Sequence, residues 1–296
     1  MLRDNGLLIK GQRLKGMIPM IQSEVINQAI SYIMEHIGED ILIEEVAKHC
    51  HFSKFHFSRM FKEETGESLY AFIKRLKMEQ SAFRLKLERN RSITDIGLDY
   101  GYTASNYSTA FKQYHHISPA KFRKSIYDQS IKHPFFKQVE NVIESFEECN
   151  KKVTIEELDD QYVIYERRIG NYNDLARDWQ VFNEKYKEYI TEETVFMERT
   201  YDDPSITDTN MCLYDICMIV DKSCPLENTY IVQGGKFVVY HFKGYVGQIY
   251  AAYQSLFNEW FPKSHYVIDE RYGFEIYRGI DCENMYMEME LCIPVK

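Results

Sequence analysis

The chain of 296 residues contains no apolar run near the ~18 residues that a membrane-spanning helix needs, and its start lacks the apolar core of a secretion signal. Both absences predict a cytoplasmic protein with no membrane partner. No nucleotide-binding glycine loop, Ser-His-Asp arrangement or phosphoryl-transfer motif is present, so neither an enzyme nor a bound cofactor is expected. The seven cysteines, Cys50, Cys149, Cys212, Cys217, Cys224, Cys282 and Cys292, form no CxxC pair and no zinc-finger spacing with histidine. They read as small hydrophobes. His49, Cys50 and His51 are consecutive, but neighbours at a helix end point in different directions and no further ligand is suitably spaced, which excludes a metal site.

Charge is present but unevenly placed. Residues 1–130 hold 19 Lys plus Arg against 15 Asp plus Glu, a net +4, and the remainder holds 17 against 30, a net −13. A mildly basic first half suits nucleic acid, and an anionic second half favours cations. The length accommodates two domains, each with its own core.

The stretch from Ile43 to Arg123 contains one pattern written twice at a spacing of about 50 residues. The first copy is Ile43, Val46, Ala47, Cys50, Phe52, Ser53, Phe57, Met60, Phe61, Lys62; the second is Ile93, Ile96, Gly97, Tyr100, Tyr102, Thr103, Tyr107, Ala110, Phe111, Lys112. Apolar residues at i, i+3, i+4 and i+7, a break, then a further 3.6-residue repeat predict two short helices joined by a tight turn. Ser53 and Thr103 stand where a hydroxyl would cap the second helix of each copy. This is the helix-turn-helix pattern, whose second helix enters the DNA major groove. With Phe57, Met60 and Phe61 inward, Phe55, Ser58, Arg59 and Lys62 share the outward face beside Lys54. Ser105, Ser108, Thr109 and Lys112, with Asn106, form the outward set of the second copy. Arg59 is the expected base reader, because its two parallel donors match guanine, although a surface pair with Glu63 is the alternative. Lys62 and Lys112 are expected on phosphates. Between the copies, Leu69, Phe72, Ile73, Leu76, Gln80, Phe83 and Leu87 form one helical stripe with a single polar interruption. Its rod of roughly 30 Å is near the ~34 Å between successive major-groove faces.

Residues of about 24 to 125 resemble the DNA-binding domain of the AraC/XylS family of bacterial transcription regulators. The family's tail motif appears as Gly101, Tyr102 and Thr103, then Phe111 and Lys112, then Ser118, Pro119 and Arg123. The chain departs from the family at His51, where a turn glycine is usual, and at Thr109, where an arginine is common. The resemblance implies double-stranded DNA as a partner and RNA polymerase as a further one. Residues 1–20 read as an N-terminal extension, partly disordered; 21–126 as an all-α domain with two helix-turn-helix units; and 127–152 as a linker with a short helix from Phe136 to Cys149.

From Val153 the period changes to 2, and a second duplication appears with an offset of about 74 residues, aligning Gly170 with Gly244 and Leu175 with Ile249. Each half reads strand, helix, strand, strand, so residues 153–296 are expected to form an α+β domain with an antiparallel sheet and a groove between the halves. "YDDP" at 201–204, "YDICMIV" at 214–220, "GGKFVVYHFKG" at 234–244 and "FEIY" at 274–277 make this segment similar to the GyrI-like effector-binding domain of multidrug-responsive regulators. That resemblance implies a small cationic or amphipathic ligand held by a buried glutamate among aromatic walls, and Glu275 is the matching position. Tyr277 shares its strand face. Tyr172, Trp179, Tyr214, Tyr245 and Trp260 are candidate wall residues, with ordinary core packing as the alternative for each. Two other readings remain for this domain: a small-molecule hydrolase using Glu275 with a tyrosine, and a protein-interaction module.

Overall fold

The computed structural model of the protein describes residues 21–134, 142–281 and 283–296. The expected extension at residues 1–20 and the first part of the expected helix from Phe136 lie outside them. The first domain packs α1 (Glu24–Glu35), α2 (Ile43–His49), α3 (Lys54–Thr65), α4 (Leu69–Leu87), α5 (Ile93–Asp99), α6 (Ala104–His115) and α7 (Pro119–Lys132). Each helix-turn-helix is one of the two sequence copies. Val46, Ala47, Phe57 and Phe61 bury the first seam, and Ile96, Tyr107 and Phe111 bury the second. α4 joins the two seams, contributing Leu69, Phe72 and Leu76 to the first core and Met78, Ala82 and Leu85 to the second.

Both turns share one geometry. Phe52 N–H donates to the Ala47 carbonyl at 2.9 Å and Tyr102 N–H to the Gly97 carbonyl at 3.0 Å. The residue that reverses the chain is left-handed in each, His51 at φ 61° and Gly101 at φ 78°. His51 therefore adopts the conformation that glycine adopts most readily. Ser53 and Thr103 do occupy the N-cap positions of α3 and α6 with extended backbone, but neither side chain makes the expected capping bond. Both residues are exposed, so the free N–H groups at these helix starts face solvent instead. The connecting helix is shorter than expected: α8 runs Phe146–Asn150, begun by a capping box between Ser145 and Glu148.

The second domain is a single antiparallel sheet in the order β1-β6-β8-β7-β3-β4-β2-β5. Its strands are β1 (Val153–Leu158), β2 (Gln161–Gly170), β3 (Phe196–Thr200), β4 (Cys212–Ile219), β5 (Thr229–Val232), β6 (Gly235–Tyr245), β7 (Phe274–Asp281) and β8 (Tyr286–Pro294), with α9 (Leu175–Tyr186) and α10 (Ile249–Ser255). Two strand-helix-strand-strand units, β2-α9-β3-β4 and β6-α10-β7-β8, meet at the β3–β7 pair. Each is preceded by a short strand that pairs with the other unit: β1 with β6 and β5 with β2. Only Asp159 and Asp160 separate β1 from β2, yet these strands stand near opposite ends of the strand order, so the sheet must curl until its ends meet. The Gly234 N–H donates to Asp160 at 2.8 Å at that closure, and a Cβ on Gly234 would lie 2.2 Å from the Leu158 carbonyl.

Period-2 alternation sorts the strand residues between two faces. Val163, Met197, Cys217, Phe237, Phe274 and Cys292 fill the inside of the curl. The other face takes α9 over Ile164, Ile216 and Met218, and α10 over Val238, Leu291 and Ile293.

The small slot of the helix-turn-helix pattern has a steric cause. A Cβ on Gly97 would stand 2.5 Å from Cγ of the buried Tyr107 ring, and Tyr107 cannot retreat because its own Cβ is also 2.8 Å away. Gly97→Val is expected to destabilise the protein by at least about 2 kcal/mol, read by urea unfolding, since forced overpacking costs about 1–3 kcal/mol and the β-branch adds to it. Unchanged stability would refute this close approach.

Candidate functional site

Two surfaces carry chemistry. On the first, α3 and α6 present their outward residues to solvent. Phe55 is 87% exposed, an unusual position for a large apolar side chain, and Lys54, Arg59 and Lys62 are exposed beside it, with Ser58 half-buried. Lys54 is paired with Glu44, and Arg59 stands 3.9 Å from Glu63, a loose pair between two largely exposed side chains. Such a pair contributes little and leaves Arg59 available. On α6, Ser105, Asn106, Ser108, Thr109 and Lys112 are all exposed, so this helix offers hydroxyls, an amide and one cation.

The second surface is a cavity of about 320 Å³ over the β3–β7 join, between α9 and α10. Glu198 and Glu275 sit directly opposite each other across these strands and form its floor with Thr200 and Tyr277. Tyr172 and Leu175 line one side, Tyr253 and Phe257 the other, and Glu79, Gln80 and Phe83 of α4 close the top. Both floor carboxyls are buried, at 1% exposure for Glu198 and 5% for Glu275. Each has one tyrosine partner: the Tyr253 hydroxyl donates to Glu275 at 2.7 Å, and the Tyr277 hydroxyl to Glu198 at 2.8 Å. Burial pushes the Glu275 carboxyl up to about 7, against the lowering effect of the Tyr253 bond. Burial, and then the charge of Glu275, push Glu198 well above the usual carboxylate range. Two carboxyls so placed resist ionising together, and a cation between them would relieve that repulsion.

The expected wall residues are placed as follows. Tyr172 lines the cavity, and its buried hydroxyl has no hydrogen-bond partner among the described residues. Tyr214 stands behind it, ring centroids 5.2 Å apart, with its hydroxyl on Asp178. Trp179 packs edge-on to Tyr277 at 5.5 Å and so supports the floor. Trp260 and Tyr245 are not brought to the cavity. Trp260 belongs to the core beneath α10, with its indole N–H on Asn150 and its ring stacked on Phe146 and Tyr266. Tyr245 closes β6, is 52% exposed and meets Tyr286 across the strand pair. Sequence reasoning missed Glu198, Tyr253 and the residues of α4. The one signal for the last was the polar interruption of the apolar stripe at Gln80, whose amide donates to the Tyr272 hydroxyl beside the cavity.

Known proteins resemble both parts. A family model described as a GyrI-like small molecule binding domain matches residues 151–296, and one described as a helix-turn-helix domain matches residues 46–125. The multiple antibiotic resistance protein MarA of Salmonella typhimurium is 34% identical over 99 residues, which are 33% of this chain and 77% of MarA. The chain belongs to the AraC/XylS family of transcription regulators. The transcriptional regulator Rob of Salmonella typhimurium is 32% identical over 107 residues, 36% of this chain and 37% of Rob, so the match spans little more than a third of that relative. The solved C-terminal domain of EcmrR covers 49% of the chain and 96% of its own length at 15% identity, with a TM-score of 0.42. Among the described residues of this AraC/XylS-family chain, no helix is long and apolar enough to cross a membrane.

The raised carboxyl predicts a pH effect. The neutral form of Glu275 is the one the fold accommodates, so its contribution to stability is fully present below the ordinary value of 4.5 and is lost as pH rises through about 7. Against Glu275→Gln, which has no such proton to lose, wild type should therefore fall behind in Tm between pH 5 and 8. A Tm difference independent of pH would show that this carboxyl is not held neutral.

Proposed function

We propose that this AraC/XylS-family protein is a transcription regulator that reads DNA through α3 and α6 and senses a small aromatic cation in the cavity of its GyrI-like domain. The observation that carries the ligand class is the buried pair Glu198 and Glu275 facing tyrosines and Phe257 across one cavity. Ring faces attract cations and carboxylates neutralise them, whereas an anion there would meet two acids. The Tyr172 hydroxyl, without a hydrogen-bond partner among the described residues, adds a point for hydrogen bonding. DNA reading by α3 rests on Arg59, Lys62 and the exposed Phe55; α6, with Lys112 and short polar side chains, contributes more to placement than to base choice. Work on chromosomal DNA would put the protein in the cytoplasm and within reach of RNA polymerase.

Two experiments test the two halves. Arg59→Ala should cost about 1–3 kcal/mol at one cognate base pair and relax the choice there, while Lys112→Ala should weaken all sequences alike and flatten the salt dependence. Equal, sequence-independent losses from both would remove Arg59 as a reader. For the cavity, calorimetry compares benzyltrimethylammonium with neopentylbenzene, its neutral isostere. Glu275→Gln should weaken the cation by on the order of 1–3 kcal/mol, the range for charge-assisted contacts, and leave the neutral molecule nearly unaffected. The same cation affinity in wild type and variant would end the case for cation sensing.

A further inference from the structure

The top of the cavity is made by the DNA-binding domain. Glu79, Gln80 and Phe83 lie on α4, the helix that joins the two helix-turn-helix units, and Phe83 meets Phe257 of the cavity wall edge-on at 5.2 Å. Glu79 is 3% exposed, and its carboxylate has partners on both sides. Oε1 accepts from the Tyr114 hydroxyl of α6 at 2.7 Å, and Oε2 accepts from Arg75 at 3.1 Å. Arg75 in turn donates from Nε and Nη2 to Glu67, at 3.0 and 2.7 Å, just beyond the Gly66 cap of α3. One carboxylate facing the ligand space is therefore two hydrogen bonds from the end of the first reading helix and one from the second.

The cluster is also short of positive charge. Glu67, Glu79 and Asp202 face Arg75, while Asp203 is matched by Lys86. Burial and then the charge of Asp202, which also lines the cavity, push the Glu79 carboxyl up to about 8.

We propose that α4 is a wall of the effector site and that Glu79 couples it to the DNA-reading helices, so that a cation bound over Glu275 is held by both domains at once. The inference rests on the cation-sensing reading given above. The acids crowded around the single Arg75 disfavour the charged form of Glu79; a cation held beside it favours that form, and the change of charge alters how firmly Glu79 holds Arg75 and Tyr114. Because α3 and α6 are both set by those bonds, occupancy changes the relative placement of the two reading helices and hence affinity for a two-groove DNA site. The coupling is reciprocal: cognate DNA must shift affinity for the cation by the same factor.

The test uses the full chain, benzyltrimethylammonium as probe, and a DNA duplex that the full chain itself selects from a random-sequence pool. In wild type, saturating probe should change DNA affinity by at least about fivefold, the lower end of ordinary allosteric coupling. Glu79→Gln should bring that ratio to within about twofold of one, while Glu275→Gln, once saturated, keeps it. Hydrogen exchange on wild type supplies a readout independent of any variant's folding: probe should slow the amides of Glu79 to Arg84 along with those of β3 and β7. Probe that binds in a Glu275-dependent way but leaves the α4 amides unchanged, or full coupling in Glu79→Gln, overturns this inference alone. Failure of wild type to bind the probe overturns the sensing reading and the inference with it.

Discussion

Lys86 has no contact with water, and the placement of the two domains depends on it. Its ammonium donates to Asp203 at 2.6 Å and to Gln254 at 2.8 Å, both in the second domain, with a side-chain exposure of 0%. Burial alone would raise the Asp203 carboxyl, but the charge and hydrogen bond of Lys86 outweigh it and hold the group below the usual carboxylate value. An ammonium enclosed without such partners would cost several kcal/mol, so α4 can occupy only a seat that supplies them. Such a pair adds little net stability over an apolar substitute, but a packing that parts its members leaves an uncompensated buried charge and is strongly disfavoured.

With that seat fixed, α4 is tied along its length. Arg84 donates to the carbonyls of Ile268 and Asp269 at 3.3 and 2.9 Å, and Arg75 to the Met211 carbonyl at 3.2 Å. A second clamp holds α1. Arg167 of β2 forks onto Asp215 from Nε and Nη2 at 2.8 and 2.9 Å and donates from Nη1 to the Asn27 carbonyl and the Ser31 hydroxyl, at 3.1 and 3.0 Å. Tyr201 and Tyr230 add their hydroxyls to the same Asp215, so the buried acid is fully matched. Between these clamps the helical domain lies on the sheet domain and shares a cavity with it. The helix that joins the two helix-turn-helix units is thus also a wall of the cavity.

Much of this was legible in the chain. The helix-turn-helix copies, their inward and outward faces and the strand-helix-strand-strand duplication all follow from periodicities that survive without any tertiary knowledge. Glu275 came only through family resemblance, since its strand pattern alone is equally that of a solvated residue. Glu198 was hidden because it pairs with Glu275 across the β3–β7 join, between strands nearly eighty residues apart in sequence, and nothing local marks one strand glutamate as facing another. The edge strands β1 and β5 were also missed as partners of the opposite units: they are short and half-exposed, so their alternation is weak.

By itself, then, the order of residues determined the main helices and the two strand-helix-strand-strand units, the faces they bury and the family to which they belong, because 3.6- and 2-residue repeats encode local geometry and the side of each element that must leave water. What only the tertiary structure decided is which buried groups meet. Trp260 and Glu275 are both enclosed, yet one ends in core and the other in a cavity, and Glu79, on the helix that joins the two helix-turn-helix units, lines that same cavity. Those outcomes depend on contacts between distant segments, and on the requirement that every enclosed charge, Lys86 first among them, find its partner there.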